Sequence, residues 1–283
     1  MKTLTAILRD VDRQAKQVRF AAIGALTDTA FECRKAVQRA MPQVFDRPTP
    51  FVVSGVKVTT PQTLQKLSAL TSAGGLGPGK FGADPLVAVV SIDYEGRGKG
   101  PSPEQVLTAE VRGGSRGFKG AERRLQQVGL MAPGHYMVPA ADILSQTEFT
   151  DAYGNVRGSL IRNLLSYLQA FSTDGFTANT KQKKKDRIAA RGKTQGGFAT
   201  INGVVFFVSA GPRGSGGKQQ HLPAGIWAKR GIGGSRVFPV FLFVSSPQYK
   251  VRLQFDTIVE NMATRTFPGA FQSRLERAFA TAR

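Results

Sequence analysis

The sequence predicts an α+β fold, in which an antiparallel β-sheet is flanked by a long N-terminal helix and a C-terminal helix. Three observations support this prediction. Apolar residues recur at helical spacing over residues 3–41, strand-like runs follow one another between residues 198 and 255, and helical spacing returns after Asp256. Adjacent strands with helices at both ends of the chain favour an antiparallel sheet in an α+β domain. The 32 glycines and 15 prolines predict long glycine-rich and basic loops between the elements.

The first element is an amphipathic helix over residues 3–41. Its apolar residues recur at steps of three and four, which is the spacing of one helix face. Pro42 follows the last of them, where a helix is expected to stop, and Gly24 marks a bend or a close packing contact. A helix of this length either crosses a whole domain or packs against a neighbouring subunit. The residues of this apolar stripe are Leu4, Leu8, Val11, Ala15, Val18, Ala22, Leu26, Ala30, Cys33, Val37 and Met41.

The middle of the chain is predicted as an insertion, at about residues 95–195, into a single domain that spans residues 1–283. Two predicted strands, Phe51–Thr59 and Leu86–Tyr94, come before it and are separated by a glycine-rich loop at residues 71–84. Apolar runs bounded by glycine and proline are typical of strands joined by loops.

The predicted insertion contains short elements. Helical patterns cover Pro103–Val111, Ala121–Val128 and Ser159–Phe171, and an apolar run at Gly134–Pro139 predicts a short strand. Ser102 precedes the first of these helices, and its side chain is suited to cap it.

Strands dominate the chain after residue 198. Phe198–Ser209 predicts a hairpin that turns at Asn202-Gly203, a dipeptide typical of two-residue hairpin loops. Residues 211–220 are predicted as a flexible tip. Further strands are expected at Gly225–Arg230 and Val237–Val244.

The last segment predicts a helix. Tyr249–Phe255 alternates apolar and polar residues, which fits a half-buried strand or the lead-in to a helix. Asp256 is suited to cap the helix that follows. From these patterns we expect the core to include Trp227, Phe241, Phe243, Phe255, Phe271 and Leu275.

The net charge of the chain indicates the chemical class of its partner. Thirty-nine Lys and Arg against 19 Asp and Glu give a formal net charge of +20, which favours a polyanion such as DNA. The densest cationic run lies within Thr180–Lys193, where flexible side chains can neutralise phosphates without reading bases. A solvated loop without a partner is the alternative for this run. The predicted DNA contacts are Lys181, Lys183, Lys184, Lys185, Arg187, Arg191 and Lys193.

No catalytic, cofactor or metal site is predicted. Gly74–Phe81 approaches a phosphate-binding loop, but Phe81 stands where the motif needs Ser or Thr. His135 and His221 have no acidic or thiol partners at the spacing of a zinc site. The single cysteine, Cys33, lies on the apolar stripe of the first helix and is expected to be a buried structural thiol.

A metal-dependent nuclease is a less favoured alternative. Asp84, Asp93 and Glu95 lie at or near the end of a predicted strand, with Lys99 close by, and such carboxylates can hold a metal ion. Acidic residues at exposed strand ends are also ordinary. No membrane partner is expected, because the chain lacks roughly 18 successive apolar residues, and no basic amphipathic helix with exposed aromatic residues is expected.

Three groups of residues carry a family resemblance. The first is the long N-terminal helix running into Phe45–Phe51 (FDRPTPF), and the second is Asp151–Asn155 (DAYGN) with the helix after it. The third is Gly225–Trp227 (GIW), followed by Pro239–Val244, Tyr249–Phe255 and the final helix. Together they resemble tailed-phage and prophage morphogenesis proteins of the tail-completion, or minor tail protein Z, type. The resemblance spans most of the chain, and its motifs are packing signatures.

The resemblance implies a structural protein of the virion rather than an enzyme. Its fold would be a small antiparallel sheet flanked by the first and last helices. Several copies, six by the resemblance, would form a ring at the head–tail junction, in contact with the connector or adaptor and with the tail tube or tail terminator. The ring would surround the DNA channel and touch double-stranded DNA non-specifically. Assembly would take place in the host cytoplasm. The alternative from charge alone is a free basic DNA-binding protein.

Overall fold

The computed structural model describes residues 4–66, 86–93, 101–168, 199–201, 204–211, 213–215, 218–230 and 236–281. It confirms the predicted α+β class, with a long first helix, a C-terminal helix and antiparallel sheets. The chain forms two compact units. The first unit comprises Met1–Gly113 and Lys250–Arg283, and the second is the continuous segment Gly114–Tyr249, which lies between them in sequence.

The first unit is built around two long helices. Its elements are α1 (Leu4–Val44), α2 (Pro50–Ser54), β1 (Val56–Thr59), β2 (Val89–Ile92), α3 (Pro103–Arg112) and α7 (Phe255–Ala280). Strands β1 and β2 form an antiparallel pair in which Val56 lies opposite Ile92. Residues 61–66 are also helical.

Helix α1 does not stop at Pro42, as the sequence predicted, but continues to Val44. Proline removes one backbone donor, yet the Phe45 N–H still donates to the Met41 carbonyl at 2.9 Å. Met41 is fully buried beside Val37 in the apolar cluster of this unit. Packing of this last turn therefore outweighs the cost of a proline near the helix end.

The predicted strand Phe51–Thr59 is wrong in its first half. Thr49 and Pro50 start helix α2 instead, because the Thr49 hydroxyl accepts the Val52 N–H at 3.4 Å and proline is suited to the first helical position. In α3, by contrast, the predicted cap is confirmed: Ser102 Oγ accepts the Gln105 N–H at 3.2 Å.

The segment before α7 is a lead-in to the helix rather than a strand. The backbone N–H groups of Arg252 and Leu253 donate to the Glu110 carbonyl at 2.8 and 3.1 Å, which ties this segment to α3. Asp256 lies within the first turn of α7, and the capping position is taken by Gln254. Leu253 and Phe255 enter the apolar cluster together with Val37, Met41, Val56 and Leu107.

The second unit contains the larger sheet. Its elements are β3 (His135–Pro139), β4 (Ala199–Ile201), β5 (Val204–Ser209), β6 (Arg213–Ser215), β7 (Lys218–Gln220), β8 (Gly225–Arg230), β9 (Arg236–Ser245), α4 (Gly120–Gln127), α5 (Ala141–Leu144) and α6 (Gly158–Tyr167). Five antiparallel strands follow the order β3-β9-β8-β5-β4. Strands β6 and β7 form a separate pair, where the sequence predicted a flexible tip.

One apolar cluster joins this sheet to its helices. Phe206, Ile226 and Phe241 from the strands are buried with Leu125 of α4 and Leu164 of α6. The predicted packing residues occupy both units: Trp227, Phe241 and Phe243 are buried in the sheet, Phe255 is buried at the start of α7, and Phe271 and Leu275 are half-buried along α7.

Gly225 allows β8 and β9 to approach each other. A Cβ atom at this position would overlap the Phe241 carbonyl oxygen and would lie 3.3 Å from Leu242 Cα. Both neighbours are backbone atoms of the paired strand and cannot rotate away. The first residue of β8 must therefore be glycine for the observed register.

We predict that Gly225→Ala lowers the free energy of unfolding by about 1–3 kcal/mol, because the added methyl forces the two strands apart. Urea denaturation followed by circular dichroism measures this change. Gly158→Ala is the matched control, since a Cβ there meets nothing within 4 Å, and its effect should stay below about 1 kcal/mol. Equal stability of the two variants would contradict the strand pairing.

Candidate assembly surface

The predicted DNA contacts, Lys181 to Lys193, lie outside the residues that the structure describes. The same holds for the glycine-rich loop Gly74–Phe81. The proposal that the lysine-rich segment contacts DNA therefore stays a prediction.

The alternative nuclease site is described only at Asp93, because Asp84, Glu95 and Lys99 lie outside the described residues. The Asp93 carboxylate is 3.7 Å from Lys57 Nζ. Its backbone N–H donates to the Gly55 carbonyl at 2.7 Å. Within the described part of the chain, no three His, Cys, Asp or Glu side chains gather as a metal site.

The DAYGN motif forms a tight turn before α6. The Asp151 carboxylate accepts the N–H groups of Tyr153 and Asn155, both at 2.9 Å. The hydrogen bond from the Asn155 backbone is the main cause that lowers the pKa of Asp151. The carboxylate of Asp151 therefore has a structural role, because its hydrogen bonds stabilise the turn.

Helices α1 and α7 pack side by side in opposite directions. Cys33 Sγ lies 3.5 Å from the Val259 carbonyl oxygen, and further along, Arg274 donates to the Asp28 carboxylate at 2.7 and 2.8 Å. The Arg274 side chain crosses α1 directly above Gly24, where a Cβ atom would lie 3.2 Å from Arg274 Cδ. Gly24 is therefore a close packing contact, one of the two roles that the sequence suggested.

The two helices differ in length, and α1 projects beyond α7. After Arg274, α7 has six residues left, whereas α1 has 24 residues before Asp28. The difference of 18 residues corresponds to about 27 Å of helix at 1.5 Å per residue. The first part of α1 therefore has no neighbouring α7 to pack against. We call residues 9–20 of α1 the α1 projection.

The apolar stripe of α1 continues into the α1 projection without being covered. Ala21 and Ala25 are fully buried, whereas Val11 and Val18 are 56% and 40% exposed. Ala15, between these two valines, is exposed as well. The face that packs against α7 further along the helix is thus presented to solvent over residues 11–18.

At the β3 edge of the larger sheet, side chains bond to the outward backbone groups; we call this a closed edge. The Ala140 N–H donates to the Val240 carbonyl, so the backbone groups of Ala140 point toward β9. Backbone groups alternate in direction along a strand, and those of His135 and Met137 therefore point away from β9, toward the edge of the sheet. The Met137 N–H donates to Glu122 Oε1 at 2.9 Å, and its carbonyl accepts from Arg116 Nη2 at 3.3 Å. Gln126 Nε2 donates to the His135 carbonyl at 2.9 Å.

Side chains thus take the place of a neighbouring strand along β3. The His135 N–H is bonded to the Ala132 carbonyl at 3.2 Å, and Pro139 has no N–H. Every outward N–H group of β3 is therefore paired or absent. An edge of this kind resists pairing with a strand from another molecule.

Arg116 and Glu122 hold this edge as a buried ion pair. Glu122 is fully buried, and its carboxylate accepts two hydrogen bonds from the Arg116 guanidinium and one from the Lys119 N–H at 2.5 Å. Burial would raise the pKa of Glu122, but these hydrogen bonds and that from Met137 outweigh it and lower the pKa. Arg116 also lies over the Tyr136 ring.

No protein-family model, curated protein or solved structure matches this chain. None of the described helices is both long and apolar enough to cross a membrane. The functional assignment therefore depends on the chain's own surfaces, of which the α1 projection is the most distinctive.

We predict that Glu122→Ala lowers the free energy of unfolding by about 3–5 kcal/mol, because it leaves the largely buried Arg116 charge without its carboxylate partner. Glu148→Ala is the matched control: Glu148 pairs with Arg230 at 2.7 Å, but both side chains are exposed, so the loss should be about 0–1 kcal/mol. Urea denaturation at pH 7 distinguishes the two. Equal losses would contradict the role of Glu122.

The stabilisation by Glu122 should depend on pH. Because its pKa in the folded protein is lowered from the ordinary value of 4.5, unfolding takes up a proton at acidic pH. The contribution is complete above pH 4.5 and is lost as the pH falls through the folded-state pKa. The stability difference between the wild type and Glu122→Ala should thus shrink below pH 4.5. A difference that grows on acidification would contradict this sign.

Proposed function

We propose that this chain is a structural protein of a tailed-phage particle and that it forms a ring at the head–tail junction. The family resemblance implies six copies in this ring. The ring joins the connector or adaptor to the tail tube or tail terminator and surrounds the DNA channel. The observation that carries the proposal is the α1 projection, with its apolar stripe uncovered at Val11, Ala15 and Val18.

A helical projection of this kind needs a neighbour. Helical segments of this length are only marginally stable in water unless an apolar face is packed. In the first unit α7 supplies that packing from Ala21 onwards, but not for residues 9–20. A neighbouring subunit or another particle protein would cover the same stripe and extend the two-helix layer.

A ring also needs two different surfaces on each copy. Contacts in a closed ring of more than two subunits are heterologous, so the stripe of one copy faces another surface of the next. The closed β3 edge argues against joining subunits by strand addition at that edge. Helix packing is therefore the mode of association that we propose.

The charge of the chain is consistent with a place around DNA. A net charge of +20 favours a polyanion, and contacts with phosphates need no base recognition. The same charge supports the second candidate, a free DNA-binding protein. The two candidates differ in whether the apolar stripe of the α1 projection is buried by another subunit.

We predict that Val11→Ser combined with Val18→Ser weakens self-association or binding to the neighbouring neck proteins by at least about tenfold, since each serine removes apolar surface from the interface. Sedimentation velocity of the purified chain, alone and with connector protein, measures the assembly. Thermal stability should stay within a few degrees, because both valines are exposed in the single chain.

The control for this experiment is Val106→Ser with Val251→Ser, two other exposed valines of the first unit. This variant should assemble as the wild type does. Equal assembly of both variants would contradict the proposal. A wild-type chain that stays monomeric with every neck protein, yet binds DNA tightly, would favour the second candidate.

A further inference from the structure

The α1 projection has a second face, which is basic. At 100° per residue, Arg9, Arg13, Lys16 and Phe20 fall within about 60° of one another around the helix. All four residues are exposed, and Phe20 is 67% exposed. We call this surface, formed by Arg9, Arg13 and Lys16, the basic face. The expectation that the chain has no basic amphipathic helix with an exposed aromatic residue is therefore wrong for α1.

The basic face lies opposite the apolar stripe. By the same helical geometry, Val11 and Val18 lie about 170° away from its centre, and Ala15 lies about 130° away. One side of the projection can therefore pack against protein while the other side remains accessible. A helix of this kind can contact a protein with its apolar stripe and a charged ligand with its basic face at the same time.

We infer that the basic face binds the phosphate backbone of double-stranded DNA. Its three cations recur about every 4.5–6 Å along the helix axis, and phosphates recur about every 3.4 Å along each strand. Long, flexible Arg and Lys side chains accommodate this difference. Contacts of this kind neutralise charge without reading sequence. The inference deepens the proposed function, because it names the surface that faces the DNA channel.

The nearby carboxylates do not prevent such binding. Asp10 lies 3.7 Å from Arg13, and both side chains are more than a third exposed. A surface ion pair of this length is weak in water, so a phosphate group can replace it. Asp12 lies at the border of the basic face, about 60° from Arg9 around the helix.

An anionic membrane fits the surface less well. A helix that lies in the membrane interface buries one apolar face and places its cations beside it or opposite it. Here Phe20 lies among the cations and the apolar stripe lies on the far side. Either Phe20 or the stripe would stay in water on a membrane, which favours DNA as the partner.

The test is DNA binding by a variant of the full chain with Arg9→Gln, Arg13→Gln and Lys16→Gln. Fluorescence anisotropy with a labelled 30-base-pair duplex of mixed sequence measures Kd over a series of KCl concentrations. We expect Kd to rise about tenfold or more at 100 mM KCl. The slope of log Kd against log salt should flatten by about 0.9 for each phosphate that the variant no longer neutralises. Glutamine keeps the helix propensity, and circular dichroism checks the fold.

The matched control carries Lys35→Gln, Arg39→Gln and Arg265→Gln. These exposed residues of the first unit lie on the part of the helix pair away from the α1 projection, and the variant has the same net charge. Its Kd should change by less than about threefold. Equal losses of affinity in both variants would show that binding follows net charge alone and would overturn the inference.

A second variant distinguishes the contribution of the basic face to DNA binding from that of the lysine-rich segment. In a chain with Lys183→Gln, Lys184→Gln and Lys185→Gln, salt-sensitive DNA binding should persist, and its Kd should rise about tenfold or more when the basic-face changes are added. Unchanged binding on adding them overturns the inference. Loss of binding to phosphatidylserine vesicles, with DNA binding unaffected, also overturns it in favour of a membrane.

These outcomes are independent of ring formation. Sedimentation of the basic-face variant without DNA reports assembly alone, because its apolar stripe is intact. A variant that assembles normally but has a reduced DNA affinity supports both the proposed function and the inference. Normal assembly with unchanged DNA affinity rejects only the inference, and a chain that binds DNA through the basic face without assembling rejects only the ring.

Discussion

The packing of two antiparallel helices of unequal length determines which surfaces the first unit presents. The α1–α7 contact is closed where Ala21, Ala25 and Cys33 are buried, and the ion pair between Asp28 and Arg274 bridges the two helices. Because α7 ends first, the apolar face of α1 continues into solvent. Beyond the end of α7, α1 thus exposes two faces: the apolar stripe, for which we propose a protein partner, and the basic face, for which we infer a polyanion.

In the second unit, side chains occupy the backbone groups at one edge of the larger sheet. A five-stranded antiparallel sheet exposes edge strands that can template pairing with other chains. Here the outer backbone groups of β3 are bonded to Glu122, Arg116 and Gln126. Burying the Arg116–Glu122 pair carries a desolvation cost, but the carboxylate and guanidinium satisfy backbone groups that would otherwise need a strand. The β3 edge is therefore poorly suited to pairing with a strand of another chain.

Local patterns predicted much of the fold. The helical spacing in α1, the apolar run in β9 and the Ser102 cap are properties of neighbouring residues, and each prediction is confirmed. The prediction for Phe51–Ser54 was wrong because an apolar run favours a strand, whereas the Thr49-Pro50 start determines a helix. The candidate surface needed tertiary information. Periodicity alone aligns Val11, Ala15 and Val18, but their exposure depends on where α7 ends, and Asp28 meets Arg274 across 246 positions.

The central claim is that this chain is part of the head–tail junction of a phage particle. Immunogold labelling of intact particles, with an antibody raised against the purified chain and viewed by electron microscopy, tests it most directly. We expect label confined to the junction between head and tail, in particles with and without packaged DNA. Label distributed along the tail or over the head, or particles that lack the protein altogether, would contradict the claim.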